Sequence, residues 1–291
     1  MQKALIGVLG GSGLYRMNAL ENATEHALDT PYGVPSDVIV CGQVHDVPVA
    51  FLARHGRGHR LLPSEVPYRA NIHALKQMGV RYLISLSAVG SLREDMKPLD
   101  MVLPDQFIDL TRRREGSFFG DGAVAHVSMA QPVCAGVAEA LARAADEAGS
   151  IPPVSLHRGG AYVCIEGPQF STQAESHWYR NMGASVIGMT NMPEAKLARE
   201  AQIAYATLAM VTDYDCWHPR AAHVTAEMAI ANLMKNAERA QQIAAAAIRI
   251  IGAERPSSIA HDALASALVT QPQDMTPETL ERLSKIISAE R

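Results

Sequence analysis

The sequence predicts an α/β protein. Two observations carry this. Short apolar runs alternate with stretches of helical spacing over most of the 291 residues, the pattern of strands and helices stacked in layers. Several of the runs also stop abruptly at glycine, hydroxyl or charged residues, and in open α/β sheets ligands bind at the carboxyl ends of strands. The length suits one to two domains, and a hydrophobic share of 48% is ordinary for a globular chain.

The elements follow in order. Residues 5–9 read as a buried strand, closed by Gly10-Gly11-Ser12-Gly13. Residues 38–41 and 49–53 read as strands, and 68–78 has helical spacing. Residues 82–86 form a further strand, followed by Ser87-Ala88-Val89-Gly90-Ser91. Short strands are expected at 101–103 and 107–110. Residues 133–148 form an alanine-rich helix stopped by Gly149. A strand at 161–165 leads through Glu166-Gly167-Pro168 to a helix whose start is marked by a Thr172/Glu175 capping box. A strand at 185–189 runs into Thr190 and a helix from about Pro193. Residues 205–212 are a strand and 225–251 a long amphipathic helix. Glu254-Arg255-Pro256-Ser257-Ser258 reads as a linker, and Thr276-Pro277-Glu278 opens a last short helix.

The run MVTDYDCW places Asp213 and Asp215 two residues apart after a buried strand. Residues two apart in an extended chain share a face, so both acids are expected to meet at one point. A solvated turn with local Asp bonds is the plainer reading of these two residues alone.

Composition narrows the partners. Net charge is −4, from 26 basic and 30 acidic residues, which gives no electrostatic case for nucleic acid or a membrane surface. No run approaches the roughly 18 apolar residues of a membrane span. The start, Met1-Gln2-Lys3, does not read as a signal peptide, so a cytoplasmic chain is expected. Cys41, Cys134, Cys164 and Cys216 form no C-x-x-C pair and are expected as buried, reduced thiols. His55 and His59 have a helical metal spacing, but Gly56 and Gly58 oppose a helix and no Cys/His cluster occurs. No metal site is expected.

A second set of residues suits an oxyanion. Ser12 lies in the glycine turn, Arg54 and His55 follow the strand ending at Ala53, and Ser87 and Thr190 each follow a buried strand. Hydroxyls, a guanidinium and backbone N–H groups are phosphate ligands when they share a location. The glycine turn is neither a P-loop nor the dinucleotide fingerprint, since Arg16 stands at the third glycine position.

The segments GVLGGSGL, LARHGRGH, SAVGSLRE, IEGPQFSTQAE, MTNMPEAKLARE and TDYDCW, in that order, resemble those of the 5′-methylthioadenosine phosphorylases, a branch of the trimeric purine nucleoside phosphorylases. The resemblance runs from about Lys3 to about Ile251. It implies a single α/β/α domain around a mixed, partly barrel-like central sheet, with residues 1–251 as the nucleoside phosphorylase domain and 252–291 as its helical appendage. It implies a homotrimer, no organic or metal cofactor, and phosphorolysis of S-methyl-5′-thioadenosine to adenine and 5-methylthioribose 1-phosphate.

By position, the family's phosphate ligands fall on Ser12, Arg54, His55, Ser87, Ala88 (through its backbone) and Thr190. The ribose contact falls on Met189 and the base pocket on Phe170, Ser171, Asp213 and Asp215. The 5′ pocket falls on Val224, Ala226 and Ile230, with His223 a polar neighbour in sequence, and His126 reaches in from a neighbouring subunit. Asp213 then protonates the purine N7 if burial keeps it neutral, Asp215 orients it or the 6-amino group, and phosphate attacks the sugar. Asp213 with Ser171 points to a 6-aminopurine, because 6-oxopurine members carry Asn and Glu at these positions. Two other readings remain: a nucleosidase, which has no use for an anion cradle, and a non-catalytic nucleoside-binding protein on the same fold.

Overall fold

A computed structural model describes residues 3–11, 14, 16–148, 155–221 and 224–288. Strands β1 (Ile6–Gly10), β2 (Glu21–His26), β3 (Ile39–Val44) and β4 (Val47–Ala53) precede helix α1 (Tyr68–Gln77). Then come β5 (Tyr82–Ser91), β6 (Met101–Leu103), β7 (Gln106–Asp109), α2 (Ala135–Glu147), β8 (Leu156–Arg158) and β9 (Ala161–Cys164). Helix α3 (Gln173–Asn181), β10 (Ala184–Gly188), α4 (Asn191–Glu200), β11 (Ala204–Asp213), α5 (Ala226–Glu254) and α6 (Pro277–Ile287) complete the chain.

All strands join one mixed sheet, in the order β2-β3-β4-β1-β5-β10-β9-β7, with β11 added to β5 and β6 and β8 beyond it. Every residue of β11 is buried, which is why it reads as an unbroken apolar run: both its faces are covered. Its side chains alternate between two layers. Tyr205, Ala209 and Val211 join the layer holding Ile72 of α1, Leu197 of α4 and Leu283 and Ile286 of α6. Ala206, Leu208 and Met210 join the layer holding Leu141 of α2 and Ile243 and Ile248 of α5. Each fully buried Leu or Ile contributes roughly 1.5–3 kcal/mol, so two buried apolar layers fix the α/β/α arrangement.

The caps expected from sequence are present. Thr172 and Glu175 form the reciprocal capping box of α3, and the Thr225 and Thr276 hydroxyls cap α5 and α6. Regular geometry in α4 begins after Met192, whose dihedrals are extended, so the helix proper starts at Pro193. Gly149, the expected stop of α2, lies outside the described residues. All four cysteines are buried free thiols. Among the described residues no helix is long and apolar enough to cross a membrane.

Two strands escape the sequence pattern. β2 is exposed along most of its length and has no apolar face; β8 is three residues long. The third difference matters most. β5 does not end at Leu86 but continues through Ser91. Its edge pairs with β1 up to Ser85 and is taken up by β10 only at Gly90 and Ser91. Between those points the sheet splits, and a crevice opens beside Ser87, Ala88 and Val89.

Candidate active site

The crevice is a cavity of about 570 Å³ at the carboxyl ends of β1, β4, β5, β10 and β11. It gathers Arg54, His55, Ser87, Ala88, Thr190, Met189, Phe170, Ser171, Asp213, Asp215, Ala226 and Ile230 from across the chain. Val224 does not line it; its N–H donates to the Asp215 carbonyl at 3.0 Å, just behind the wall. His126 is exposed and outside the cavity of its own chain, with its N–H donating to the Ala267 carbonyl at 2.8 Å. Ser12 and His223 lie outside the described residues.

Arg54 is held by a carboxylate that sequence reasoning passed over. Its Nε donates to Glu194 Oε2 at 2.6 Å and its Nη2 to Oε1 at 3.1 Å. Nη2 also donates to Ser85 Oγ at 2.7 Å and Nη1 to the Leu86 carbonyl at 3.1 Å. Glu194 further accepts the Ser85 hydroxyl at 2.7 Å and the Tyr205 hydroxyl at 2.9 Å. Four of the five guanidinium N–H groups are thereby committed, which leaves one on Nη1. Gly11 sits against it: a Cβ there would stand 3.1 Å from Nη1 and 2.6 Å from the Leu86 carbonyl.

His55 is buried and its Nδ1 lies 2.9 Å from the Leu61 carbonyl. A carbonyl only accepts, so Nδ1 carries the proton and Nε2 keeps its lone pair. Burial, and then the neighbouring Arg54 charge, push the ring's pKa down to about 3, so it stays neutral. His59 stacks on it with ring centroids 4.2 Å apart. Ser87 Oγ lies 3.4 Å from Tyr162 Oη and 3.5 Å from Thr190 Oγ1, so the hydroxyls converge on one spot.

The opposite end of the cavity is acidic. Asp213 and Asp215 are both buried. They do not meet through strand alternation, because Asp215 has φ +53° and the chain has already turned. Asp213 Oδ1 accepts the Asp215 N–H at 2.7 Å, the local bond of the plainer reading. The turn and the pocket therefore coexist. Burial is the main cause that raises the Asp213 pKa to about 6, with the charge of Asp215 adding to it. Burial raises Asp215 as well. The loop is anchored by Trp217, whose Nε1 donates to the Ser91 carbonyl at 2.7 Å and whose ring lies 3.4 Å under the Arg180 guanidinium.

The family model of the phosphorylase superfamily matches residues 5–249. The chain is 58% identical over 288 residues to the S-methyl-5′-thioadenosine phosphorylase of Synechocystis sp., covering 99% of this chain and 88% of that protein. It is 56% identical over 285 residues to that of Thermosynechococcus vestitus, with 98% of each covered. The chain belongs to the methylthioadenosine phosphorylase branch of the phosphorylase superfamily. Among solved structures, a methylthioadenosine phosphorylase from an antarctic soil metagenomic library is 62% identical, with a TM-score of 0.94 over 99% of this chain and all of that one. The Schistosoma mansoni methylthioadenosine phosphorylase in complex with adenine is 36% identical, with a TM-score of 0.87 over 92% of this chain and all of that one.

Arg114 braces the backbone beside the cavity. Its buried guanidinium donates to the Met189 and Met192 carbonyls at 2.6 and 2.7 Å, and to Glu166 Oε1 at 2.9 Å. Glu166 Oε2 in turn accepts the Arg112 and Arg113 N–H groups. Glu194, Arg114 and Glu166 went unassigned in the sequence. For Glu166 and Glu194 the available signal was a charge beside a buried strand or inside a mostly apolar helix, where an unpaired ion is too costly to keep; Arg114 lies in the charged run Arg112-Arg113-Arg114-Glu115 and carried no such signal.

Proposed function

We propose that the chain catalyses phosphorolysis of S-methyl-5′-thioadenosine, giving adenine and 5-methylthioribose 1-phosphate. The observation that carries this is one cavity with a hydroxyl-lined cationic end at Arg54, Ser87 and Thr190 and a buried acid, Asp213, at the other. The relatives' names support it. Inorganic phosphate is the co-substrate, held by Arg54, Ser87, Thr190, the Ala88 backbone and Ser12, and the reaction uses no metal or organic cofactor. His55 Nε2 can only accept, so it takes the hydrogen bond of the remaining P–OH of hydrogen phosphate.

Protonated Asp213 donates to N7 of the purine while the C1′–N9 bond breaks and its electron pair passes into the base. A phosphate oxygen forms the new bond to C1′. General-acid assistance of this kind is worth about 10²–10⁴-fold, and holding both reactants in place supplies much of the rest. Asp215 faces the 6-amino group, and a site paired to an amino donor rejects a 6-oxo group. Phe170, Ile230, Met234 and Leu62 leave an exposed apolar rim at the mouth. A homotrimer, with His126 of a neighbouring subunit at the 5′ end, covers that rim in this reading.

The test is base release from methylthioadenosine, methylthioinosine, adenosine and inosine in parallel, with and without phosphate. Methylthioadenosine leading with a strict need for phosphate supports the reading. Turnover without phosphate makes the chain a nucleosidase, and binding without turnover makes it a nucleoside-binding protein.

A further inference from the structure

Thr212 precedes the acid of the TDYDCW loop and has no place in the reaction described above. It is buried and lines the cavity. The β5–β11 ladder passes from Val211 straight to Asp213, so Thr212 sits in the irregularity of the register. Its carbonyl is held by the Asn232 side-chain amide of α5 at 2.7 Å. Its hydroxyl lies 3.1 Å from the Val89 carbonyl of β5 and 2.6 Å from Asp213 Oδ2.

A threonine hydroxyl has one proton and two lone pairs. A carbonyl oxygen can only accept. Two arrangements fit these distances: the hydroxyl donates to Asp213 Oδ2 with Val89 as a weaker second acceptor, or the Thr212 proton goes to Val89 and Asp213 Oδ2 carries a proton that it donates to Thr212. Oδ1 is already occupied as the acceptor of the Asp215 N–H at 2.7 Å. Among the described residues no ion pair reaches Asp213, and burial, the largest influence on it, favours the neutral acid over the hydrogen bonds that favour the carboxylate.

We propose that Thr212 is a positioning residue that acts as a fixed hydrogen-bond acceptor for Asp213, so that the free site holds its acid protonated on Oδ2. The proposal rests on Asp213 being the general acid. In the reaction that proton moves from Oδ2 to the purine N7, a stronger acceptor than a hydroxyl, as the C1′–N9 pair passes into the base; Asp213 is left as the carboxylate. With its own proton bound to Val89, Thr212 presents a lone pair that disfavours the ionised acid, so Asp213 keeps its proton until the base is in place.

The sign of one shift decides the matter. Removing an acceptor from a neutral acid lowers the acid's pKa; removing a donor from a carboxylate raises it. The other titratable groups on this side are Asp215 and Cys216 in the loop, and Glu175 and Tyr179 of α3, which face Asp215. Arg112 acts on Tyr179. β5 and α5 present Gly90, Val89 and Asn232, none of them titratable. None of these groups changes in the variants.

The experiment is the pH profile of kcat/KM for methylthioadenosine at saturating phosphate, which reports the phosphate-bound enzyme before the nucleoside binds. It is run on the wild type, Thr212→Val, Thr212→Ser and Asp213→Asn. The expected result is a basic limb that moves down by about one pH unit in Thr212→Val and returns in Thr212→Ser. A limb that stays in place or moves up overturns the proposal, because Thr212 is then neutral or a donor. Thr212→Ala gives the same sign test if the valine variant does not fold. A basic limb that persists in Asp213→Asn instead removes Asp213 as the acid, which is the failure of the underlying reading and not of the Thr212 contact.

Discussion

Arg54 and Glu194 meet in a two-point ion pair, Nε to Oε2 at 2.6 Å and Nη2 to Oε1 at 3.1 Å, with both side chains only 1% exposed. Losing one partner strands the other charge in the interior, at a cost of about 3–5 kcal/mol. Glu194→Ala is expected to lose that much in urea denaturation. Glu194→Gln keeps the shape but leaves the guanidinium uncompensated, so added phosphate should raise its Tm more than it raises the wild type's. An equal phosphate shift in both would show that Arg54 does not face the anion.

Because Glu194, Ser85 and Leu86 absorb most of its donors, Arg54 in the proposed reaction has its charge and a single N–H to offer phosphate. Arg54→Ala should therefore raise the KM for phosphate at least tenfold, and the KM for the nucleoside by much less. Steady-state kinetics with each substrate varied separately checks this, and parallel changes in both constants would count against it.

Burial raises the Asp213 pKa to about 6, against 3.8 in an unstructured chain. Between those values the folded chain keeps a proton that the unfolded chain has released, so stability falls as pH rises through the window. Two units correspond to about 3 kcal/mol. Asp213→Asn cannot ionise; its advantage over the wild type should be near zero at pH 4 and reach up to about 3 kcal/mol above pH 7. The same variant should lose at least tenfold in rate on methylthioadenosine and shift relative preference toward 6-oxopurine nucleosides. Denaturation at several pH values tests the first claim, and unchanged kinetics would sink the second.

Gly90 marks where β10 joins β5. A Cβ there would stand 2.8 Å from Asp213 Oδ1 and 3.0 Å from the Ile187 side chain. Gly90→Ala should push the carboxylate aside, lower kcat/KM by at least tenfold and destabilise the fold by about 1–3 kcal/mol. A variant with wild-type kinetics would mean that the Asp213 position is not critical.

Most elements were legible in the sequence because strands and helices with a buried face write a period of 2 or 3.6 into the chain. β2 was not, because an exposed edge strand has no such face. The end of β5 was misjudged because Ser87, Gly90 and Ser91 look like a turn; a strand that loses one neighbour and gains another can carry small polar residues inside the sheet. The acids of TDYDCW were recognisable, but their meeting was assigned to strand alternation. A left-handed Asp215 brings them together instead.

The sequence by itself determined the layered α/β class, the helix caps, the family and the list of hydroxyls, Arg54 and acids that bear on the chemistry. These depend on local pattern or on residue identity, and both are written along the chain. Only the tertiary structure decided that the sheet splits at β5, that Glu194 commits Arg54, and that Thr212 points one hydroxyl at both a carbonyl and the acid. Each depends on groups 76 to 140 residues apart, or on which of two acceptors a single proton can serve. Linear spacing carries no information on either, because it does not record distance or hydrogen-bond direction in the folded chain.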